Sequence, residues 1–237
     1  MRGVFITGTD TGVGKTLVAA GLLKALRGTG LDAVPMKPVQ TGCERRQGSW
    51  VAPDLELSLK TAGLAPSPAE IALMAPYCFH PACSPHLAAR LAGRKISLLI
   101  IRRAFRQLRG AHDVVVVEGA GGVLVPLDGQ RTMVDMMKSL GLPVVLVARS
   151  GLGTINHTLL SIRTLRQAGL TVKAVVLNQT SPGRQGAIER DNRKVIERMG
   201  AVPVVAALGF GLTASRAARP LAPLAAMFLT GRPAGRA

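Results

Sequence analysis

The chain has 237 residues, 48% hydrophobic and 18% charged, with 30 Lys and Arg against 13 Asp and Glu for a formal net charge of +17. This is the size and composition of one globular α/β domain, and it excludes a disordered or low-complexity chain. The basic residues fall singly or in pairs on helical stretches such as Arg102-Arg103-Ala104-Phe105-Arg106-Gln107-Leu108-Arg109, so they read as solvated faces rather than a nucleic-acid patch, and no apolar run approaches the roughly 20 residues of a membrane span.

Met1-Arg2-Gly3 leads straight into an apolar run too short for a signal-peptide core, so a cytoplasmic protein with neither nucleic acid nor membrane as partner is expected. Gly3 to Thr7 reads as a short buried strand, followed by a Gly-rich turn and an apolar-periodic helix from Lys15 to Leu26, which Gly28 and Gly30 end. Ala33 to Lys37 is a second strand stopping before Pro38, although Pro35 inside it suits an edge better than a sheet centre. Thr41 to Gly110 forms a long insert punctuated by prolines, expected to hold its own helices or to carry function. Three cysteines, Cys43, Cys78 and Cys83, lack CxxC spacing, which argues against both a disulfide framework and a structural zinc site.

Asp113 to Val117 is a third strand, and its unbroken valines imply burial on both faces, as in a parallel sheet. Pro143 to Ala148 and Thr171 to Leu177 repeat the pattern after helical segments ending at Gly141 and Gly169, and Val202 to Ala206 adds an edge strand. The tail from Arg232 to Ala237 is expected to fray. Strands alternating with helices predict a single doubly wound α/β domain over residues 1–237, with a mainly parallel sheet flanked by helices.

Chemistry is concentrated at strand ends. Gly8-Thr9-Asp10-Thr11-Gly12-Val13-Gly14-Lys15-Thr16 joins the first strand to the first helix, which is the setting of a P-loop. Small residues let consecutive N–H groups turn inward around phosphate oxygens, the helix N-terminus adds partial positive charge, and Lys15 can reach the β- and γ-phosphates of ATP. The first glycine sits one residue earlier than in the common pattern. A P-loop calls for Mg²⁺, and Mg²⁺ calls for oxygen ligands: the Thr16 hydroxyl, Glu118 after the valine strand, and Asp54 in the loop after the second strand, where an N-cap role before Leu55 is the rival reading. Lys37, a charge between apolar neighbours, must be paired or aimed at an anion.

Taken in order, Gly8-Thr9-Asp10-Thr11-x-Val13-Gly14-Lys15-Thr16, Lys37-Pro38-Val39-Gln40-Thr41-Gly42 and Glu118-Gly119-Ala120-Gly121-Gly122 resemble the dethiobiotin synthetases, and Ser84-Pro85-His86, Ile155-Asn156-His157 and Asn178 extend the likeness over roughly Val4 to Asn178. The resemblance implies a P-loop NTPase-like homodimer that uses ATP, Mg²⁺ and CO₂ to close a ureido ring on 7,8-diaminopelargonic acid. It implies Lys37, Lys15 and Thr11 as catalytic side chains. Asp10, Thr11, Gly12, Val13, Gly14, Lys15, Thr16, Glu118 and Asn178 would bind ATP, with Asn178 at the adenine edge. Thr16, Asp54 and Glu118 would hold the metal, Thr41 the carbamate or amine, and Gly153, Thr154 and Asn156 the substrate carboxylate across the dimer interface.

Three segments depart from the family pattern: Gly12 stands where many members carry Glu, Ala207-Leu208-Gly209-Phe210 lacks a proline beside the adenine, and Ala92-Gly93-Arg94 replaces a Glu-Gly. A ParA/MinD-like switch ATPase acting on DNA or membrane is the alternative, but its second loop lysine is missing from Thr9-Asp10-Thr11. An amidotransferase-type ligase would need a glutaminase domain for which the chain is too short.

Overall fold

The computed structural model describes residues 3–46, 48–183 and 186–229. The expected fraying of residues 232–237 lies outside them. In chain order the elements are β1 (Gly3–Gly8), α1 (Lys15–Arg27), β2 (Ala33–Met36), β3 (Val39–Thr41), β4 (Glu44–Arg46), β5 (Ser49–Val51), α2 (Pro53–Ala62), α3 (Pro68–Met74), β6 (Tyr77–Phe79), α4 (Pro85–Leu91), α5 (Leu98–Ala111), β7 (Val114–Gly122), α6 (Met133–Leu140), β8 (Val144–Arg149), α7 (Thr154–Gln167), β9 (Val172–Asn178), α8 (Ala187–Gly200), β10 (Val204–Leu208), α9 (Ala214–Ala217) and α10 (Ala222–Ala226).

Six strands make one parallel sheet in the order β10-β9-β8-β1-β7-β2. Period-two alternation sends Val4, Ile6, Val114, Val116, Val145 and Val147 into a core under α1, α9 and α10. Phe5, Val115, Val117, Val144 and Leu146 enter the opposite core with α5, α6 and α7. Burial of both faces explains why these strands read as continuous valine runs. The chain leaves β1 towards β2 and leaves β7 towards β8, so the carboxyl ends of β1 and β7 flank a crevice of the kind that collects ligands in open α/β sheets.

Several boundaries differ from the sequence reading. β2 ends at Met36, not Lys37, because the Lys37 backbone N–H leaves the sheet and donates to the Met74 carbonyl at 2.7 Å. Pro35 is tolerated since β2 is an edge strand bonded to β7 alone. β7 runs on through the glycines to Gly122, whose partner is Gly8, so Glu118 lies inside a strand rather than after one. The last strand is Val204–Leu208, two residues later than expected, and it takes in Ala207 and Leu208. Among the described residues the long insert carries four helices, α2 to α5, and short strands, of which β3 and β6 pair in parallel and β4 and β5 form a hairpin. Among the described residues no helix is long and apolar enough to cross a membrane.

Candidate active site

The loop between β1 and α1 is built for an anion. Gly14 caps α1 with φ +99 and no side-chain hydrogen bond, and the first turn carries no acid, so nothing competes for the N–H groups at that helix end. A Cβ at Gly14 would lie 2.2 Å from Asn178 Nδ2, so the position needs glycine for space as well as for backbone conformation. Gly12 also has a positive φ, +74, but a Cβ there meets nothing within 4 Å. Lys15 Nζ donates to the Asp10 carbonyl at 2.8 Å. Asp10 in turn accepts from the Thr11 N–H at 2.7 Å and from the Arg149 guanidinium at 3.1 Å, which ties the loop to the end of β8.

Across the crevice, Lys37 Nζ lies 2.6 Å from Asp54 Oδ2 and 2.7 Å from Glu118 Oε1, and it also donates to the Gly119 carbonyl at 3.0 Å. The Thr16 hydroxyl donates to the same Glu118 oxygen at 2.8 Å. Asp54 is neither in a loop nor an N-cap. It is the second residue of α2, whose N-cap is Ala52, and the amide oxygen of Gln40 accepts the Asp54 N–H at 3.3 Å. That frees the Asp54 carboxylate to face Lys37.

Burial disfavours the Lys37 cation, but Glu118 and Asp54 outweigh it and hold its pKa above the ordinary value. Burial likewise opposes the Asp54 charge, and the Lys37 ammonium reverses that, leaving Asp54 more acidic than usual. Glu118 is raised by its complete burial, which the ammonium offsets only in part while the Asp54 charge adds to it. Lys15 falls to about 8, through burial first and repulsion from Lys37 second.

The expected residues therefore divide into groups. Thr11, Gly12, Gly14, Lys15, Thr16, Lys37, Thr41, Asp54 and Glu118 line one cavity of about 370 Å³. Val13 and Asn178 sit beneath it: Asn178 is buried, its Nδ2 donates to the Val13 carbonyl at 3.0 Å, and its Oδ1 has no partner among the described residues. Gly153, Thr154 and Asn156 do not line this cavity. Thr154 is buried, with its hydroxyl 3.3 Å from that of Thr158, so its side chain faces into the fold, whereas Gly153 and Asn156 are exposed at the start of α7.

Two contributors escaped the sequence reading. Gln40 lines the cavity and positions Asp54, and a buried glutamine between valine and threonine was the available signal. Asn192 is more remote: its Nδ2 donates to the Ser150 carbonyl at 3.0 Å and holds the turn leading to α7, which only the fold brings near.

A phosphate loop between a parallel strand and a helix, opposed by a lysine clasped between two carboxylates, defines a P-loop protein built to handle a nucleoside polyphosphate. The family model described as an AAA domain matches residues 2–212. An ATP-dependent dethiobiotin synthetase BioD from Anaeromyxobacter dehalogenans is 50% identical over 182 residues, covering 77% of this chain and 78% of that protein. The protein of the same name from Anoxybacillus flavithermus is 39% identical over 206 residues, 86% and 90% of the two chains. The chain belongs to the ATP-dependent dethiobiotin synthetase family. The MinC:MinD cell division complex of Aquifex aeolicus (TM-score 0.61, 13% identity, covering 100% and 99%) and a ParA family ATPase of Chlorobium tepidum (TM-score 0.56, 13% identity, covering 95% and 98%) share the fold alone, and the switch-ATPase alternative is not favoured.

Proposed function

We propose that the chain carries out the family's reaction on 7,8-diaminopelargonic acid, CO₂ and ATP, giving dethiobiotin, ADP and phosphate. Family membership makes it an ATP-dependent ligase forming C–N bonds in biotin biosynthesis. One observation carries the finer reading: a buried ammonium, Lys37, stands between Asp54 and Glu118 directly across from the loop lysine.

In this reading one substrate amine captures CO₂ as a carbamate, the γ-phosphoryl group passes to it, and the second amine displaces phosphate to close the ring. Such a transfer needs positioning and positive charge around the moving phosphoryl group rather than an enzyme nucleophile. Lys15 leaves the Asp10 carbonyl for the β- and γ-phosphates. Lys37 reaches from its carboxylates to carbamate and phosphate oxygens, Thr11 closes over the phosphates, and Thr41 lines the substrate side. Asn178 Oδ1, without a partner among the described residues, is an acceptor suited to the exocyclic amine of adenine.

Asp54 and Glu118 already grip one cation, the Lys37 ammonium, and with the Thr16 hydroxyl, which donates to the same Glu118 oxygen, they form a hard-oxygen donor set suited to Mg²⁺. When bound, the ion would neutralise phosphate charge. A homodimer is supported by the exposure of Leu152 (93%) beside Gly153 and Asn156, residues that line no part of their own chain's cavity. The three free cysteines and the use of ATP support a cytoplasmic setting.

The test is ADP release coupled to mass detection of the ureido product. Release should require diaminopelargonate and bicarbonate together and should slow strongly in Lys37→Ala. Turnover without the diamine, stimulated by DNA, would overturn the reading.

A further inference from the structure

Two of the three free thiols, Cys43 and Cys78, are neighbours: the Cys43 S–H donates to the Gln40 carbonyl at 3.6 Å, and Gln40 is the residue registered with Cys78, whose own S–H donates to the Ala75 carbonyl at 3.8 Å. The fold brings them together across the parallel β3–β6 pair, in which Gln40 faces Cys78 and Thr41 faces Phe79. Beyond Thr41, the Cys43 N–H continues the ladder by donating to the Phe79 carbonyl at 2.9 Å. The two sulfurs differ in access. Cys43 is buried, whereas Cys78 lines a largely apolar groove of about 740 Å³ bounded by Trp50, Leu55, Leu59, Ile71 and Arg94. Arg94 is held there by the rings it covers, 5.3 Å from the Tyr77 centroid and 5.4 Å from that of Phe79.

We propose that Cys43 and Cys78 form a dithiol modification site, entered through this groove, that a hydroperoxide oxidises to an intramolecular disulfide. The Cys78 sulfur attacks the distal peroxide oxygen, the O–O bond breaks, and Cys78 becomes a sulfenic acid while hydroxide leaves. The Cys43 sulfur then attacks the Cys78 sulfur, forming the S–S bond and expelling the sulfenic oxygen as water once the Cys43 proton has been passed on. Two thiols and one hydrogen peroxide thus give one disulfide and two waters, with both electrons supplied by sulfur.

Several features favour that order. Cys78 opens on the groove beside the Arg94 guanidinium, and a positive charge there favours a thiolate. Cys43 is buried, and burial in apolar surroundings keeps its thiol protonated, so it serves as the resolving partner. Cys83, a third free thiol outside the pair, is the internal control.

The site also touches the active centre. Cys43 Sγ lies 3.6 Å from the Gln40 carbonyl, and Gln40 is the residue whose amide accepts the Asp54 N–H. Drawing the sulfurs to the roughly 2.05 Å of a disulfide moves Cys43 towards β6 and away from that carbonyl.

The experiment uses the full chain with hydrogen peroxide, read by intact mass and by peptide mapping without reduction. The expected result is loss of two hydrogens, a Cys43–Cys78 cross-linked peptide, an unmodified Cys83 and full reversal by dithiothreitol. Cys43→Ser should instead leave a sulfenic acid on Cys78 that dimedone traps, and Cys78→Ser should react at least tenfold more slowly. Preferential oxidation of Cys83, or passage of Cys78 to sulfinic acid while Cys43 remains reduced, overturns the proposal. Both of these outcomes are read on the unmutated chain, so the test stands even if a serine variant fails to fold.

Discussion

Replacing Lys37 by Met keeps the length of the side chain and removes its charge. The two carboxylate oxygens that share the ammonium, at 2.6 and 2.7 Å, are no more than about 5 Å apart. At an effective dielectric of about 20, two such negative charges repel by about 3 kcal/mol. Stripping a buried ion pair of one partner costs about 3–5 kcal/mol, which agrees with that figure. For a chain of this size 1 kcal/mol corresponds to about 2–4 °C in Tm, so the expected loss is roughly 6–20 °C.

The pH dependence of the Lys37→Met deficit has a definite sign. Glu118, already raised by burial, can take up a proton to relieve the repulsion, so the deficit shrinks towards pH 5 and grows towards pH 8. Glu118→Gln in the Lys37→Met background should recover part of the loss, because one of the two uncompensated charges is gone. Millimolar Mg²⁺ without nucleotide should also stabilise Lys37→Met more than the parent chain, since the ammonium no longer occupies the carboxylates. The assay is thermal unfolding at pH 5 and pH 8 with and without Mg²⁺. A Tm for Lys37→Met within about 2 °C of the parent at pH 8, or an equal Mg²⁺ effect on both chains, would refute the reasoning.

Lys15 has a folded pKa of about 8, so near that pH about half of it is neutral in the free protein, and binding a polyphosphate restores its proton. Calorimetric titration at pH 8 in buffers of different ionisation enthalpy should show uptake of up to about half a proton per nucleotide, falling towards zero at pH 6.5. A buffer-independent enthalpy would count against a lysine that charges on binding. Gly12→Ala and Gly14→Ala both place a side chain at positive φ, but only the second meets another group, Asn178. Nucleotide affinity should fall within about tenfold for Gly12→Ala, some 1.4 kcal/mol, and much further for Gly14→Ala, with partial recovery when Asn178→Ala is added. Equal losses at the two glycines would sink that distinction.

Local chemistry was legible in the chain itself. The P-loop, the valine strands and the helix after Lys15 depend on neighbours in sequence, on small residues for a tight turn and on apolar runs for burial, so their order could be written down without coordinates. The family likeness followed from the same contiguous motifs, and it named Lys37, Asp54 and Glu118 together. What linear order could not supply was their mutual geometry. Asp54 reads as a loop acid or an N-cap because a helix start looks alike in both cases, and only Gln40, fourteen residues earlier, shows that the cap is supplied from elsewhere. Glu118 reads as a residue beyond its strand because glycines usually end strands, yet β1 pairs those glycines and keeps the acid inside the sheet.

The sequence by itself determined which groups carry charge and which segments are buried, since both follow from residue type and period. The tertiary structure alone decided that one ammonium lies between two carboxylates, that Asn178 supports the phosphate loop from below, and that Cys43 meets Cys78. Those contacts span 17 residues of chain, for Lys37 and Asp54, to 165, for the Asn178 bond to Val13, and arise from the order in which parallel strands assemble. A distance of that kind is a property of the packed sheet, because each crossover helix, and not the intervening sequence, sets which strand ends come to face one another.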